Sequence, residues 1–289
     1  MENAYEELTI VLISHKSKKK VIKFIKNYSL KFKVIVIENS NEKTIDQEIK
    51  KINANVKLIF SNNYGYGSAI NLARKYITTK YFFVFNPDIY LSTDNLIINF
   101  YKAAKEFDKN FGALGPRFDN VKEKSHRQSD IKQKFGAIES ISGSAMFFKT
   151  KIFDKNKGFD ENFFLYFEET DYCKRSNLNG FKIYQINNFK VFHEAGSSVE
   201  ITDENEKIKL KNLCIWHFIW SKYYFHKKYY GKIHSFFYFQ PILVRSLIKM
   251  IFFYILKKKD KYEKYKYRIN GLISSIIGKN SYLRIDQIL

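Results

Sequence analysis

Apolar residues in the first ninety positions fall in short unbroken runs separated by stretches of helical period. Residues 8–13 (LTIVLI), 34–37 (VIVI), Val56–Phe60 (VKLIF) and Tyr81–Phe85 (YFFVF) are rich in β-branched and aromatic side chains. Such runs predict strands, those at residues 8–13 and 34–37 buried on both faces. Between them Lys18–Tyr28, Thr44–Ile52 and residues 63–76 carry apolar positions at helical spacing. Strands alternating with helices predict an α/β fold, a mainly parallel sheet flanked by helices with right-handed crossovers. Ligands of such sheets bind beyond the carboxyl ends of the strands. Three polar clusters stand at those ends: Ser14-His15-Lys16, Glu38-Asn39-Ser40 and Asn86-Pro87-Asp88.

Each cluster has an ordinary and a functional reading. Glu38 is either a plain strand-end acid or an acceptor for the base or ribose of a nucleotide. Gly65 and Gly67, in NNYGYGSAIN ahead of a helix, let backbone amides approach a phosphate closely. Many turns carry the same two glycines. Asp88 after Pro87 is either a turn residue or a ligand for a divalent cation, since Mg²⁺ is usually held by one or two carboxylates plus substrate phosphates. His193, in VFHEAGSS, taken alone is more often structural than a ligand.

The densest chemistry lies in residues 158–171, GFDENFFLYFEETD. Asp160, Glu161, Glu168, Glu169 and Asp171 crowd into twelve residues among Phe159, Phe163, Phe164, Tyr166 and Phe167. Clustered carboxylates repel and persist where a metal, a proton or a cationic partner offsets the repulsion. They also suit the first turn of a helix running through Tyr172 and Arg175 to a stop at Asn179-Gly180. Both readings can hold together. Asp171 with Arg175 at i+4 is expected to be a structural pair.

Charge divides the chain of 289 residues. Residues 207–289 hold 18 Lys and Arg against 3 Asp and Glu, a net +15 of the chain's +21. The composition shift near residues 202–207 predicts a domain of residues 1–206 and a basic, aromatic-rich helical region of residues 207–289. In the latter, residues 233–256 are mostly apolar but include Arg245 and Lys249, followed by Lys257, Lys258 and Lys259. Basic residues near the middle argue against a clean membrane-spanning helix. They fit a helix lying on an anionic membrane surface, or a helical subdomain with solvated lysines. Cys173 and Cys214 lie far apart and fit no metal or disulfide spacing, which favours a reducing compartment. Residues 1–7 are polar and acidic and do not resemble a signal peptide.

Six stretches taken in order sharpen the picture: VIVIENS, NNYGYGSAINLA, FNPDI, SGSAMFFK, GFDENFFLYFEETDYCKR and VFHEAGSS. Together they resemble the family 2, GT-A-fold (Rossmann-like) glycosyltransferases, in particular the rhamnosyltransferase-like branch of bacterial surface-polysaccharide synthesis. The resemblance covers roughly residues 8–200. It implies an inverting transfer from a nucleotide-diphosphate sugar to a hydroxyl, with a divalent metal (Mg²⁺ or Mn²⁺). On the donor side it implies Ser14, His15, Glu38, Asn63, Gly65, Gly67, Asn71 and Asp88. Glu38 stands where the family usually has an Asp. Asp88 matches the last acid of the family's D-x-D motif, whose first acid is here Asn86, so the metal would rest on Asp88, His193 and the diphosphate. Glu169, beside Glu168, matches the general base, with Glu in place of the family's Asp. Gly143 and Ser144 fall on the acceptor side.

The resemblance further implies a glycan acceptor carried on a polyprenyl lipid and a cytoplasmic enzyme held peripherally at the inner face of the cell membrane. Rhamnose is the first expectation for the sugar and a UDP-sugar the second. A degenerate, non-catalytic binding fold is a third reading, prompted by Asn86 and Glu169. A basic chain with interleaved aromatics could also bind nucleic acid. No nucleic-acid motif is present and the acids gather at the expected cleft, so no nucleic-acid partner is expected.

Overall fold

A computed structural model describes residues 2–28, 31–52, 55–91, 95–107, 110–119, 129, 132–193, 199 and 203–284. The chain forms two compact units, Met1–Asp160 with Glu169–Glu200, and Glu161–Glu168 with Ile201–Leu289.

The first unit begins with α1 (Glu2–Glu7), β1 (Leu8–Ser14), α2 (Lys18–Tyr28), β2 (Lys33–Glu38), α3 (Thr44–Ile52), β3 (Val56–Phe60), α4 (Tyr66–Arg74) and β4 (Tyr81–Phe85). It continues through β5 (Ile89–Leu91), α5 (Leu96–Glu106), β6 (Phe111–Phe118), β7 (Phe135–Ile138), β8 (Ala145–Lys149), α6 (Thr150–Lys155), α7 (Glu168–Leu178) and β9 (Lys182–His193). The strands form one sheet in the order β3-β2-β1-β4-β8-β6-β9-β5, with β7 paired to β9. β3, β2, β1 and β4 are parallel, as the alternating pattern predicts, and β8 runs antiparallel to β4 and β6.

The unbroken apolar runs are explained by burial on both sides. Leu8, Ile10 and Leu12 of β1 join Val34, Val36, Phe83 and Phe85 in one core with Val21, Phe24 and Ile25 of α2. Val11 and Ile13 point the other way, with Ile35, Ile37, Phe82 and Val84, against Ala69, Ile70 and Ala73 of α4 and Tyr172 of α7. Successive strand side chains alternate faces, so only an all-apolar run satisfies both cores. Each fully buried Phe or Leu contributes roughly 1.5–3 kcal/mol.

The second unit holds three long helices, α8 (Glu204–Tyr230), α9 (Lys232–Ile255) and α10 (Lys259–Ile276). Asp203 caps α8 by accepting the Glu206 N–H at 2.8 Å. Gly231, at φ +82°, turns the chain into α9. Ile219, Tyr223, Phe239 and Leu272 form the shared core. Gly271 lets α10 approach α8 closely, because a Cβ there would lie 2.6 Å from the Trp216 carbonyl oxygen. The aromatic stretch at residues 161–168 packs on α8: Phe163 on Tyr224, Phe164 on His217, and Tyr166 and Phe167 on Phe218.

Candidate active site

The turns after β1 and β2 are stitched together by short hydrogen bonds. Ser14 and Glu38, the last residues of their strands, are register partners. The Asn39 N–H donates to the Ser14 carbonyl at 2.9 Å, and the Ser61 N–H to the Glu38 carbonyl at 2.9 Å. Lys16 N–H donates to Ser40 Oγ at 2.9 Å. Lys16 and Asn41 both lie at left-handed φ, +48° and +61°. Non-glycine residues stay there only when their surroundings impose it, and such positions cluster at ligand sites.

His15 donates from Nδ1 to Asn39 Oδ1 at 2.8 Å. Burial pushes its pKa below the ordinary histidine value, against the opposing pull of Asn39 and Glu38. With the proton on Nδ1, the neutral ring keeps Nε2 as an acceptor. Glu38 is fully buried. Its Oε1 accepts the Ser40 N–H at 2.6 Å and a short bond from the Ser40 hydroxyl. Its Oε2 is buried with no hydrogen-bond partner among the described residues. Ser14 is also fully buried, its Oγ 3.3 Å from Ser17 Oγ, so its hydroxyl serves the start of α2 rather than an open surface.

At the head of α4, Asn63 Oδ1 accepts the Gly65 N–H at 3.2 Å. Gly65 has φ +108° and ψ 168°, a conformation essentially reserved for glycine. Gly67 is buried in the first helical turn, and Ser68 Oγ beside it is buried with no hydrogen-bond partner among the described residues. Asn71, expected on the donor side, bonds to the backbone of Phe159. Its amide donates to the Phe159 carbonyl at 2.9 Å and accepts the Phe159 N–H at 2.9 Å. Both hydrogen bonds tie α4 to the backbone ahead of the acid cluster.

The turn after β4 is fixed by the Asn86 N–H donating to the Ser144 carbonyl at 2.9 Å and the Ile89 N–H to Asn86 at 3.2 Å. Asp88 is 1% exposed. His193 ends β9 opposite Ile89, one residue from Asp88, although its side chain lies outside the described residues. Among the described residues no group of three or more His, Cys, Asp or Glu side chains forms a complete metal cage. Buried Asp88 supplies a carboxylate of the kind a hard cation takes alongside water and a diphosphate. Ser144 is buried, its Oγ 2.8 Å from Ser142 Oγ and its carbonyl holding the Asn86 turn.

Gly143 and Glu169 come together. A Cβ built at Gly143 would lie 3.7 Å from Glu169 Cγ and 3.8 Å from Tyr66 Cε1. Tyr66, the residue between the two glycines, donates its hydroxyl to the Gly143 carbonyl at 2.6 Å. Sequence reasoning passed over Tyr66; its place between Gly65 and Gly67 was the available signal. α7 is held by Tyr172, whose hydroxyl donates to the Gly112 carbonyl at 3.0 Å. The pair expected of Asp171 and Arg175 is present at 2.7 Å, and Arg175 also donates to the Gly158 carbonyl at 2.7 Å. Glu168 and Glu169 are 4% and 8% exposed at the helix start. Tyr166 and Phe167, just before them, both have left-handed φ, +69° and +70°. Two consecutive strained residues ahead of a carboxylate pair are a site signature.

A mainly parallel α/β sheet with polar, strained turns at its carboxyl edge and Glu169 beside Gly143 defines a ligand-binding class of α/β architecture. The chain belongs to glycosyl transferase family 2, whose family model matches residues 9–194. It is 24% identical over 220 residues to rhamnosyltransferase WbbL of Escherichia coli (strain K12), covering 64% of this chain and 83% of that protein. The fold is GT-A. It is similar to TarS 1-349 of S. aureus in complex with UDP-GlcNAc, with a TM-score of 0.54 at 15% identity, covering 96% of this chain and 93% of that one. It is also similar to the mannosyltransferase PcManGT of Pyrobaculum calidifontis in complex with GDP-Man and Mn²⁺, with a TM-score of 0.57 at 10% identity, covering 93% and 87%.

Proposed function

We propose that this family 2 glycosyltransferase moves a sugar from a nucleotide-diphosphate donor to a hydroxyl of a lipid-linked glycan in cell-surface polysaccharide synthesis. The observation that carries the reading is the meeting of Tyr66, Gly143 and Glu169, which sets a carboxylate beside a small residue next to the glycine turn that opens α4. Glu169 takes the proton of the acceptor hydroxyl as that oxygen attacks the anomeric carbon opposite the leaving diphosphate. Gly143 leaves room for the acceptor there. Asp88 and His193 would hold Mg²⁺ or Mn²⁺, which supplies charge to offset the departing diphosphate. The amides at the N-terminus of α4 face anionic groups favourably.

His15 bears on the nucleotide. An acceptor at Nε2 complements the imide N–H of thymine or uracil, which supports a dTDP-sugar or UDP-sugar. Similarity to a rhamnosyltransferase favours dTDP-rhamnose, with a UDP-sugar second. The protein works at the inner face of the cell membrane, where its basic region of residues 207–289 meets an anionic surface. The test is a donor panel with Mg²⁺ or Mn²⁺, reading released nucleoside diphosphate. Turnover of one pyrimidine-nucleotide sugar, lost in chelator, is the expected result. Tight donor binding without turnover on any acceptor would support the non-catalytic reading.

A further inference from the structure

α9 presents an arrangement opposite to that of an ordinary surface helix. Ser235, Phe239 and Ser246 are buried toward α8 and α10, with Ile242 and Leu243 packed beside them. On the opposite side, at steps of three, four and seven residues, Ile233, Phe237, Val244, Ile248, Ile251 and Ile255 form one stripe. Their exposure runs from 48% at Val244 to 77% at Ile233. A helix normally turns its apolar stripe inward, and a continuous exposed one marks an interaction surface. Arg245 and Lys249, one turn apart, are exposed on the flank between the two faces.

By length and composition α9 could cross a bilayer, with 24 residues and a mean hydropathy of 1.4 in its best window. Two features argue against that. Arg245 and Lys249 lie within the helix, where spanning would set them in hydrocarbon. The second is α10, which runs antiparallel along α9: Phe253 stacks on Tyr265 with centroids 5.8 Å apart, Tyr254 meets Tyr262 at 5.6 Å, and Lys249 sits 5.6 Å over Tyr265. The first turns of α10 carry Lys259, Asp260, Lys261, Glu263, Lys264 and Lys266. A spanning α9 would drag those charges into the bilayer with it.

We propose that α9 is an in-plane docking helix whose outer stripe beds among the acyl chains at the surface of an anionic bilayer. Arg245, Lys249 and Lys257–Lys259 then lie at headgroup phosphates. Charge complementarity selects this occupant over a second copy of the chain: residues 207–289 carry net +15, so two such faces repel and an anionic leaflet attracts. The inference gives the proposed membrane-held acceptor a physical docking mode and rests on that reading for its purpose.

The test uses the full chain with phosphatidylcholine vesicles containing or lacking phosphatidylglycerol. The double variant Ile248→Glu with Ile251→Glu alters two exposed side chains, so an unchanged melting curve checks that the fold is kept. Binding to anionic vesicles is expected to fall about 10-fold or more in that variant. Tryptophans placed one at a time at Phe237, Val244, Ile251 and Ile255, read against the unaltered protein whose Trp216 and Trp220 are buried, should be quenched by brominated acyl chains at one shallow depth. Depth that peaks at the middle of α9 would mean spanning, and a dimer in light scattering that the double variant dissociates would mean a second copy; either overturns the inference, as does unchanged vesicle binding. Donor hydrolysis in solution is read in parallel. Its loss in the unaltered protein would sink the transferase reading while leaving the docking result standing.

Discussion

Glu169 and Gly143 are close enough that a methyl at residue 143 would touch the carboxylate's own stem. This proximity makes Glu169, and not the neighbouring Glu168, the group to test as base. Glu169→Gln keeps the shape and removes the proton-accepting charge. Turnover is expected to drop by ~10²-fold or more with donor affinity kept, because general-base contributions have that size and act on the chemical step. Single-turnover rates beside donor titration measure both; near-normal turnover would move the role elsewhere. Asp88→Asn should instead weaken metal-dependent donor binding, and His193→Ala should do so to a smaller degree. Isothermal titration with and without chelator separates them, and donor affinity indifferent to both changes would remove the metal from the scheme. The sequence brings these residues forward as candidates because strand ends and acid clusters are visible without coordinates. It does not show that the Tyr66 hydroxyl reaches Gly143, 77 residues along the chain, or that the Asn71 side chain bonds the backbone of Phe159.

At the scale of elements, legibility followed burial. β1, β2 and β4 are buried along nearly their whole length, so their composition alone announces strands. β6 contains Gly112, Gly115 and Pro116, which read as a turn, yet it is a buried eight-residue strand with a register shift after Pro116. β9 carries Asn187 and Asn188, and its polar side chains are satisfied by distant backbone such as Gln133, which no local pattern shows. Residues 161–168 were read together with the acids that follow. Their aromatics belong to the helical unit because their partners lie on α8, some fifty residues on.

The α8–α10 contact gives two further expectations. Gly271→Ala places a methyl 2.6 Å from the Trp216 carbonyl, which is backbone and cannot swing away. Overpacking of this kind costs about 1–3 kcal/mol, measurable as a lower urea midpoint; an unchanged midpoint would mean the helices part easily. His217 is wholly buried, with Nδ1 2.8 Å from Ser281 Oγ and Nε2 2.9 Å from the Leu283 carbonyl. Burial pushes its pKa down to about 4. The unfolded chain therefore protonates this histidine first as the pH falls. Its contribution is complete above pH ~6.5 and is lost between there and about 4, up to about 3 kcal/mol in all. Melting curves across that window should show the slope in the native protein and a flatter one in His217→Gln.

Over the whole molecule the charge asymmetry is the property that local reading captured best, since summing charges needs no fold. The proposed attachment to an anionic bilayer has an electrostatic part that can be tested apart from the apolar part assigned to α9. Lys257, Lys258 and Lys259 are all exposed at the turn between α9 and α10. Each basic residue near an anionic leaflet is worth about 1 kcal/mol, and the attraction fades beyond a Debye length of roughly 8 Å at physiological ionic strength. Replacing all three with Glu reverses six units of charge at a site away from the buried helix core. Co-sedimentation with anionic vesicles should weaken steeply, and what remains should depend less on salt than in the native protein. Donor hydrolysis in solution should be nearly unchanged, because none of the three belongs to the unit that holds Asp88, Gly143 and Glu169. Equal sedimentation of the native protein with neutral and anionic vesicles would show that apolar insertion alone holds it, and the lysines would then have no part in attachment.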